Sequence, residues 1–160
     1  MSDWTAKLEI TEQLYRYCRS VDRLDVELGH QVFHEDAEAV FPAFTGTGRG
    51  WIDFICEAHK AFTAHSHQVT NVLIEVDGDR AGSESYVTAV LHRAEGDKLF
   101  RHTIQGRYID RWSRREGRWT IDARECLVDL GTLAEVTELP GSPRSRRDAT
   151  DPSHAVLKGQ

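Results

Sequence analysis

Apolar residues recur every three or four positions in the first part of the chain, while the positions between them carry charged side chains. The recurring residues are Ile10, Leu14, Tyr17, Cys18 and Val21. This spacing is typical of a helix that buries one face and exposes the other. The sequence therefore predicts a half-buried helix that ends near Val21.

The next forty residues alternate between helical and extended patterns. A short helix is predicted at Asp25–Phe33, with the Asp25 carboxylate as its N-cap. A strand is predicted at Glu38–Phe41, followed by a glycine-containing loop at Phe44–Gly50. Helical spacing then returns at Trp51–Phe62.

After residue 65 the pattern changes to long extended stretches. They cover residues 67–76, 81–92, 99–112 and 118–130, and short glycine-containing turns of hairpin type join them. Helices followed by an antiparallel meander predict an α+β fold. The composition becomes polar near the C-terminus, so we expect a domain at 1–138 and a polar tail at 139–160. We expect this tail to be mobile or to pack on a neighbouring subunit.

Length, charge and motifs exclude several classes of protein. The chain has 160 residues, enough for one domain, and its formal charge of −6 argues against nucleic-acid or anionic-membrane binding. No apolar run is long enough to cross a bilayer. The three cysteines are widely spaced, and no signal peptide is visible, so we expect a reduced protein in the cytoplasm. Phosphate-binding glycine motifs are missing, so we expect no cofactor.

Asp22 and His67 are the first candidate pair for chemistry. A carboxylate near the C-terminal end of a helix is disfavoured by the helix dipole, which suggests that Asp22 has a specific partner. The alternative is a surface carboxylate near Arg19 or Arg23. His67 shares a strand face with Val69 and Leu73, and a carboxylate on its Nδ1 would leave Nε2 as a general base. The alternative is a hydrogen-bonded core histidine.

Two further residues, Arg124 and His65, have both a functional and an ordinary interpretation. Arg124 lies among small and apolar residues, where its permanent charge could stabilise an oxyanion; the alternative is an ion pair with Asp122 or Glu125. Strand alternation places Trp119 and Ile121 opposite Arg124 unless a bulge intervenes. His65 and His67 have a spacing that metal sites use, with Asp22 or His102 as further ligands, but we expect no metal. His30, His34 and His59 are expected to be exposed.

Several short motifs, in their order and spacing over residues 5–130, resemble one superfamily. They are the run Tyr15–Asp22 with Asp25, the run Phe33–Ala37, the run His67–Asn71, Gly106-Arg107-Tyr108, and Gly117-Arg118-Trp119 followed by Arg124. The chain thereby resembles the SnoaL-like branch of the nuclear transport factor 2-like superfamily. The resemblance implies a cone-shaped α+β barrel, with N-terminal helices packed on a curved antiparallel sheet.

Four positions look like the catalytic set of bile acid 7α-dehydratase-type enzymes: Tyr17, Asp22, His67 and Arg124. Hexachlorocyclohexane dehydrochlorinase is similar at the last three positions and has Lys in place of Tyr17. Scytalone dehydratase is similar at the Asp and the His. The resemblance implies dehydratase chemistry on a small hydrophobic hydroxy-ketone such as a steroid or alicyclic compound, in a homo-oligomer, dimeric or trimeric.

Apolar side chains are expected to line the substrate pocket. The predicted substrate-binding residues are Phe33, Phe41, Trp51, Phe54, Val69, Leu73 and Tyr108. The same residues could equally fill a core. Two other functions stay open: an isomerase or cyclase with the same base, and a non-catalytic ligand-binding or assembly module.

Overall fold

The computed structural model describes residues 3–141 and 145–157, and helices precede the long strands as predicted. The helices are α1 (Asp3–Arg23), α2 (Val26–Val32), α3 (Gly48–His59) and α4 (Ser153–Val156). The strands are β1 (Phe33–Phe41), β2 (Phe44–Thr47), β3 (Ala64–Asp77), β4 (Arg80–Glu95), β5 (Lys98–Arg115) and β6 (Arg118–Val136). Within the described ranges, no helix is long and apolar enough to cross a membrane.

The described strands form a six-stranded sheet in the order β2-β1-β6-β5-β4-β3. Neighbouring strands are antiparallel except β1 and β6, which are parallel. Helix α1 packs on β3, and α3 packs on β1. The predicted α+β class, with N-terminal helices on a curved sheet, is confirmed. The sheet ends at β2 and β3, which do not pair with each other, so it is open where a closed barrel was expected.

The three predicted hairpin turns are present and use the glycines that the sequence supplies. Gly78, Gly96 and Gly117 have φ angles of 59°, 63° and 80° at the tips that join β3 to β4, β4 to β5 and β5 to β6. Glycine adopts this left-handed conformation without the steric penalty of a side chain. These turns fix the order of the last four strands.

Two β-bulges change which side chains face the helices. In β6, Ile121 is paired with Trp112 and Ala123 with Arg111, so Asp122 is an extra residue. Ile121 and Arg124 therefore both lie on the buried side, which resolves the conflict in strand alternation. In β3, the register shifts between Thr70 and Leu73.

The predicted buried stripe of α1 is confirmed. Its five apolar residues are between 0% and 7% exposed, and Leu14 is fully buried. They pack with residues of α2, α3 and the inner face of the sheet in one core. Burial of this stripe fixes the rotation of α1, and with it the direction of every side chain near the end of the helix.

Element bounds differ from prediction between residues 33 and 62. Strand β1 already begins at Phe33, the predicted loop contains the short strand β2, and α3 begins at Gly48 because Thr47 Oγ1 accepts a hydrogen bond from Gly50 N at 3.0 Å. A Cβ added at Gly48 would lie 2.3 Å from Phe33 Cδ1. Glycine therefore permits the close approach of α3 to β1.

The described part of the predicted tail contacts helices of its own chain. Arg147 Nη1 donates to His59 O at 3.0 Å, and Arg19 Nη1 donates to Ser153 Oγ at 3.0 Å. Residues 142–144 and 158–160 of the predicted tail lie outside the described residues. The domain boundary near residue 138 stays a prediction.

Candidate active site

The end of α1 is shaped so that Asp22 points at β3. Leu24 follows the helix with a φ of 54°, and Asp25 N donates to Ser20 O at 2.8 Å. This left-handed turn is a common helix stop. As predicted, Asp25 then caps α2, accepting a hydrogen bond from Leu28 N at 3.0 Å. Asp22 thus lies in the last turn of α1, on a different side from the buried Tyr17.

His67 and Asp22 form a close pair between β3 and α1. The Nδ1 atom of His67 lies 2.7 Å from Asp22 Oδ1, and the backbone N–H of His67 donates to both carboxylate oxygens at 3.1 and 3.0 Å. Their side chains are 9% and 15% exposed. Since an ionised carboxylate only accepts, this network assigns the hydrogen to Nδ1. In the neutral form of the ring, Nε2 then has the lone pair that a general base needs.

Two more histidines surround this pair. The ring of His59, at the end of α3, stacks on His67 with centroids 5.5 Å apart, and lies 4.8 Å from the ring of His65. His59 is 5% exposed, so its predicted exposure is wrong. Burial first, and then the neighbouring His67, His65 and Arg147, lower the pKa of His59 to about 3. His59 is therefore a neutral neighbour of the His67–Asp22 pair.

His65 also lies on the inner side of β3. Its Nε2 is 2.9 Å from Val21 O, and burial lowers its pKa despite this contact. Among the residues that the structure describes, no group of three or more His, Cys, Asp or Glu side chains is arranged to hold a metal ion. His102 lies against Phe62, with ring centroids 5.6 Å apart.

Arg124 is buried with a partner that the sequence did not indicate. Its Nε and Nη2 donate to the two oxygens of Asp110 at 2.7 and 2.8 Å, and both side chains are fully buried. The predicted alternatives, Asp122 and Glu125, are wrong because the bulge turns Arg124 inward. Burial opposes its charge, but Asp110 raises the pKa of Arg124 above its usual range. Arg124 therefore stays cationic.

Aromatic rings enclose the Arg124 guanidinium. Its Cζ lies 4.2 Å from the ring centroids of both Tyr17 and Tyr108, a cation–π arrangement. Tyr17 Oη accepts a hydrogen bond from Trp51 Nε1 at 2.8 Å. Burial raises the pKa of Tyr17 above its usual range, so the hydroxyl keeps its proton. Arg124 Nη1 is buried without a hydrogen-bond partner in the described part of the chain.

The four predicted catalytic residues thus form two groups. The described hydrogen bonds join Asp22 to His67 and Arg124 to Asp110, and none joins one pair to the other. Cys18 lies between Tyr17 and Asp22 in α1. Burial raises the pKa of the Cys18 thiol to about 12; the charge of Arg124 lowers this pKa and the charge of Asp22 raises it. Cys18 therefore interacts electrostatically with a residue of each group.

A groove of about 410 Å³ opens beside the His67–Asp22 pair. Its lining residues come from α1 and β3: Tyr15, Cys18, Arg19, Asp22, Arg23, His67, Gln68 and Val69. Of the residues predicted to bind substrate, Val69 lines it. The wall of the groove is mixed in character, with two arginines beside apolar and aromatic surface.

The other predicted substrate-binding residues lie elsewhere. Phe33, Phe41, Trp51 and Tyr108 belong to the core, and the rings of Phe41 and Trp51 stack at 3.6 Å. Phe54 is 42% exposed. Leu73 is 67% exposed because the bulge in β3 turns it to the side opposite His67, which contradicts the predicted shared face.

His34 was expected to be exposed, but it lies in β1 with its side chain 13% exposed. Its Nε2 is 2.6 Å from Thr120 Oγ1. His30 is half-buried, and its Nε2 lies 2.9 Å from Asp53 Oδ1. Neither His30 nor Asp53 lines the groove beside His67. This second His–Asp pair provides a matched control for experiments on His67.

Sequence reasoning missed two buried polar residues, although each left a signal. Asp110 alternates with Tyr108 and Trp112 along β5, which places a carboxylate on the buried face of the strand. His59 follows Ile52 and Cys56 at helical spacing, which places it on the buried face of α3. Each residue is polar, so the spacing alone was not enough to predict that its side chain is buried.

Three helices packed on an open, curved sheet, with a polar pair at the end of α1, define a cystatin- or nuclear transport factor 2-like α+β protein. The chain belongs to the SnoaL-like domain family, whose model matches residues 2–125. No curated protein sequence matches this chain.

Solved structures with this fold come from several bacteria. A putative scytalone dehydratase from Novosphingobium aromaticivorans is 22% identical, with 90% of this chain and 97% of that chain covered and a TM-score of 0.73. Hexachlorocyclohexane dehydrochlorinase LinA-type3 from Novosphingobium barchaimii is 18% identical, with 88% and 96% covered and a TM-score of 0.72. Rv3472, a protein of unknown function from Mycobacterium tuberculosis, is 27% identical, with 96% and 84% covered and a TM-score of 0.69.

Proposed function

We propose that this chain is a lyase-type enzyme that eliminates water from a hydrophobic hydroxy-ketone, such as a steroid or an alicyclic compound. The observation that carries the proposal is the 2.7 Å contact of His67 Nδ1 with Asp22 Oδ1 beside an open groove. The carboxylate orients the imidazole and stabilises the cation that forms when Nε2 accepts a proton. The dehydratase and dehydrochlorinase with the same fold give further support.

The proposed reaction begins with proton transfer from carbon to His67. Nε2 takes a proton from the carbon α to the carbonyl, and the electrons of that C–H bond form an enolate. The enolate then reforms the carbonyl, a C=C bond forms between the α and β carbons, and the C–O bond of the β-hydroxyl breaks. His67 Nε2 returns its proton to the departing hydroxyl, which leaves as water, so the products are an unsaturated ketone, water and the neutral imidazole.

Tyr17 and Arg124 are proposed to stabilise the negative charge of the enolate. Tyr17 accepts a hydrogen bond from Trp51, which leaves its own O–H free to donate, and Arg124 has a buried N–H group without a partner among the described residues. Neither residue lines the groove. We propose that the dipole of the Tyr17 hydroxyl and the dipole of the Arg124–Asp110 ion pair act on the enolate through the poorly polarisable interior.

We also propose a compartment and an oligomeric state for this protein. It would be a cytoplasmic enzyme without a cofactor that works as a homo-oligomer, a dimer or a trimer. Cys18, Cys56 and Cys126 are free thiols, as in a reducing compartment. Leu73 and Leu130 are 67% and 51% exposed on strands of the sheet, and a second copy would cover such apolar surface.

A non-catalytic ligand-binding or assembly module is the second candidate. Its assembly form is favoured by the packing of Phe33, Phe41 and Tyr108 in the core, because these side chains fill the space where the dehydratase resemblance expects substrate. An isomerase would share the first proton transfer and return the proton to a different carbon. A cyclase would also share it, but its enolate carbon would then form a C–C bond with a second carbonyl carbon of the substrate, and the proton would go to the oxygen of that carbonyl.

The test is a screen of hydroxy-ketones, in which formation of the conjugated ketone is followed by ultraviolet absorbance. We expect His67→Ala to lower kcat by about 10²- to 10⁴-fold, the usual worth of a general base. His30→Ala, which removes the second His–Asp pair, should retain activity. Full activity in His67→Ala would contradict the mechanism, and binding without conversion would favour the binding module.

A further inference from the structure

The segment 145–157 contacts the helices that carry the candidate site. Ser153 binds Arg19 and Asp151 binds Arg23, on either side of Asp22 in α1. Arg147 binds the backbone carbonyl of His59, at the end of α3. The segment therefore contacts two arginines that line the groove with the His67–Asp22 pair, and the backbone of the histidine whose ring stacks on His67.

The Asp151 carboxylate accepts several hydrogen bonds from this segment. Asp151 is 6% exposed, and its carboxylate accepts hydrogen bonds from Ser153 Oγ and from the backbone N–H groups of Arg146 and Ser153, the last two at 3.0 Å. These bonds, with that of the Ser153 hydroxyl first, lower the pKa of Asp151 below its usual range. Asp151 is thus a fixed negative charge, held in place by its own segment.

Arg23 forms an ion pair with the Asp151 carboxylate and follows Asp22 directly in α1. Its Nε is 3.6 Å from Asp151 Oδ2, and its Nη1 donates to the backbone carbonyl of Asp22 at 3.3 Å. Arg23 also lines the groove with Asp22 and His67. An arginine can bind a carboxylate through two parallel hydrogen bonds, and it would then compete with His67 for the Asp22 oxygens.

We propose that Asp151 is a positioning residue of the candidate site: it holds the Arg23 guanidinium away from the Asp22 carboxylate, so that the charge of Asp22 acts on His67. This inference rests on the proposed function, in which His67 is the base. Without Asp151, Arg23 turns to Asp22, neutralises part of its charge and weakens the hydrogen bond to His67 Nδ1.

The test is a double-mutant cycle with Asp151→Asn and Arg23→Gln. We expect Asp151→Asn to lower kcat by at least fivefold when Arg23 is present, and by less than twofold in the Arg23→Gln background. A merely structural role for Asp151 would cost the same in both backgrounds, and that result would overturn the proposal. Asn retains a carbonyl oxygen for the backbone N–H groups; if the variant fails to fold, the equally uncharged Asp151→Ser replaces it in the same cycle.

A substrate-free measurement separates this inference from the proposed function. The ¹H and ¹⁵N signals of the His67 Nδ1–H group report its hydrogen bond to Asp22. We expect these signals to move in Asp151→Asn and to return in the double variant. Arg147→Gln removes another contact of the same segment and should leave them in place. If the His67 signals respond to Asp151→Asn but the protein converts no hydroxy-ketone, the proposed enzymatic function is contradicted and the positioning role of Asp151 is kept. If the signals do not change in Asp151→Asn, the inference is overturned.

Discussion

At the scale of single residues, burial decides what each polar group can do. His67 and His59 have stacked rings, but of these two histidines only His67 is hydrogen-bonded to Asp22 in the described part of the structure. His59 Nδ1 is buried and has no hydrogen-bond partner within the described residues. The neutral form is thus the only one that the folded protein accommodates at His59.

This difference predicts how stability depends on pH. The pKa of His59 falls from an ordinary value of 6.5 to about 3, so the unfolded chain takes up a proton in this interval and the folded chain does not. Stability from this residue is complete above pH 6.5 and is lost as the pH falls. The loss between pH 7.5 and pH 5 is about 2 kcal/mol, from the linkage relation.

Urea unfolding at the two pH values measures the loss. We expect the decrease in free energy of unfolding to be smaller in His59→Gln than in the wild type by about 2 kcal/mol. The matched control is His30→Gln, at a half-buried position, which should show nearly the wild-type decrease. Equal decreases in His59→Gln and the wild type would show that His59 is not held neutral.

At the scale of elements, the helical stripes and hairpin turns could be predicted, but the bulges could not. Apolar spacing in α1 and glycines at the turns are local signals, which depend on the neighbouring residues alone. A bulge depends on the pairing of two strands that are distant in sequence. For this reason the partner of Arg124 and the exposure of Leu73 were predicted wrongly, while the buried stripe of α1 was predicted correctly.

The bulge in β3 depends on Asn71, which has a φ of 48° and is exposed. This left-handed conformation is tolerated by Asn and Gly and strained in β-branched residues. We expect Asn71→Val to lower the free energy of unfolding by about 1–2 kcal/mol, and Asn71→Gly to change it by less than about 0.5 kcal/mol. Urea unfolding checks this. Equal stability of the two variants would mean that the strand relaxes to a regular register.

At the scale of the whole molecule, the order of elements was enough to predict the α+β class, and the resemblance of several short motifs pointed to the family. One contact of the candidate site could be predicted: the place of Asp22 at the end of α1 indicated that this carboxylate has a partner, and the fold brings His67 to it. The roles of Asp151 and Arg147 could not be predicted. They depend on a C-terminal segment that is distant in sequence from the helices it contacts. Asp151 contacts Arg23 in α1 from more than a hundred residues away, and Arg147 contacts His59 in α3 from some ninety residues away.

The central claim is that Asp22 holds the His67 ring with its proton on Nδ1 and its lone pair on Nε2. The most direct test is the ¹⁵N spectrum of the His67 ring at neutral pH in the wild type and in Asp22→Asn, with the signals assigned by His67→Ala. The claim predicts the Nδ1–H tautomer in the wild type and a clear change in Asp22→Asn. A wild-type ring with its proton on Nε2, or one that is insensitive to Asp22→Asn, would contradict the account.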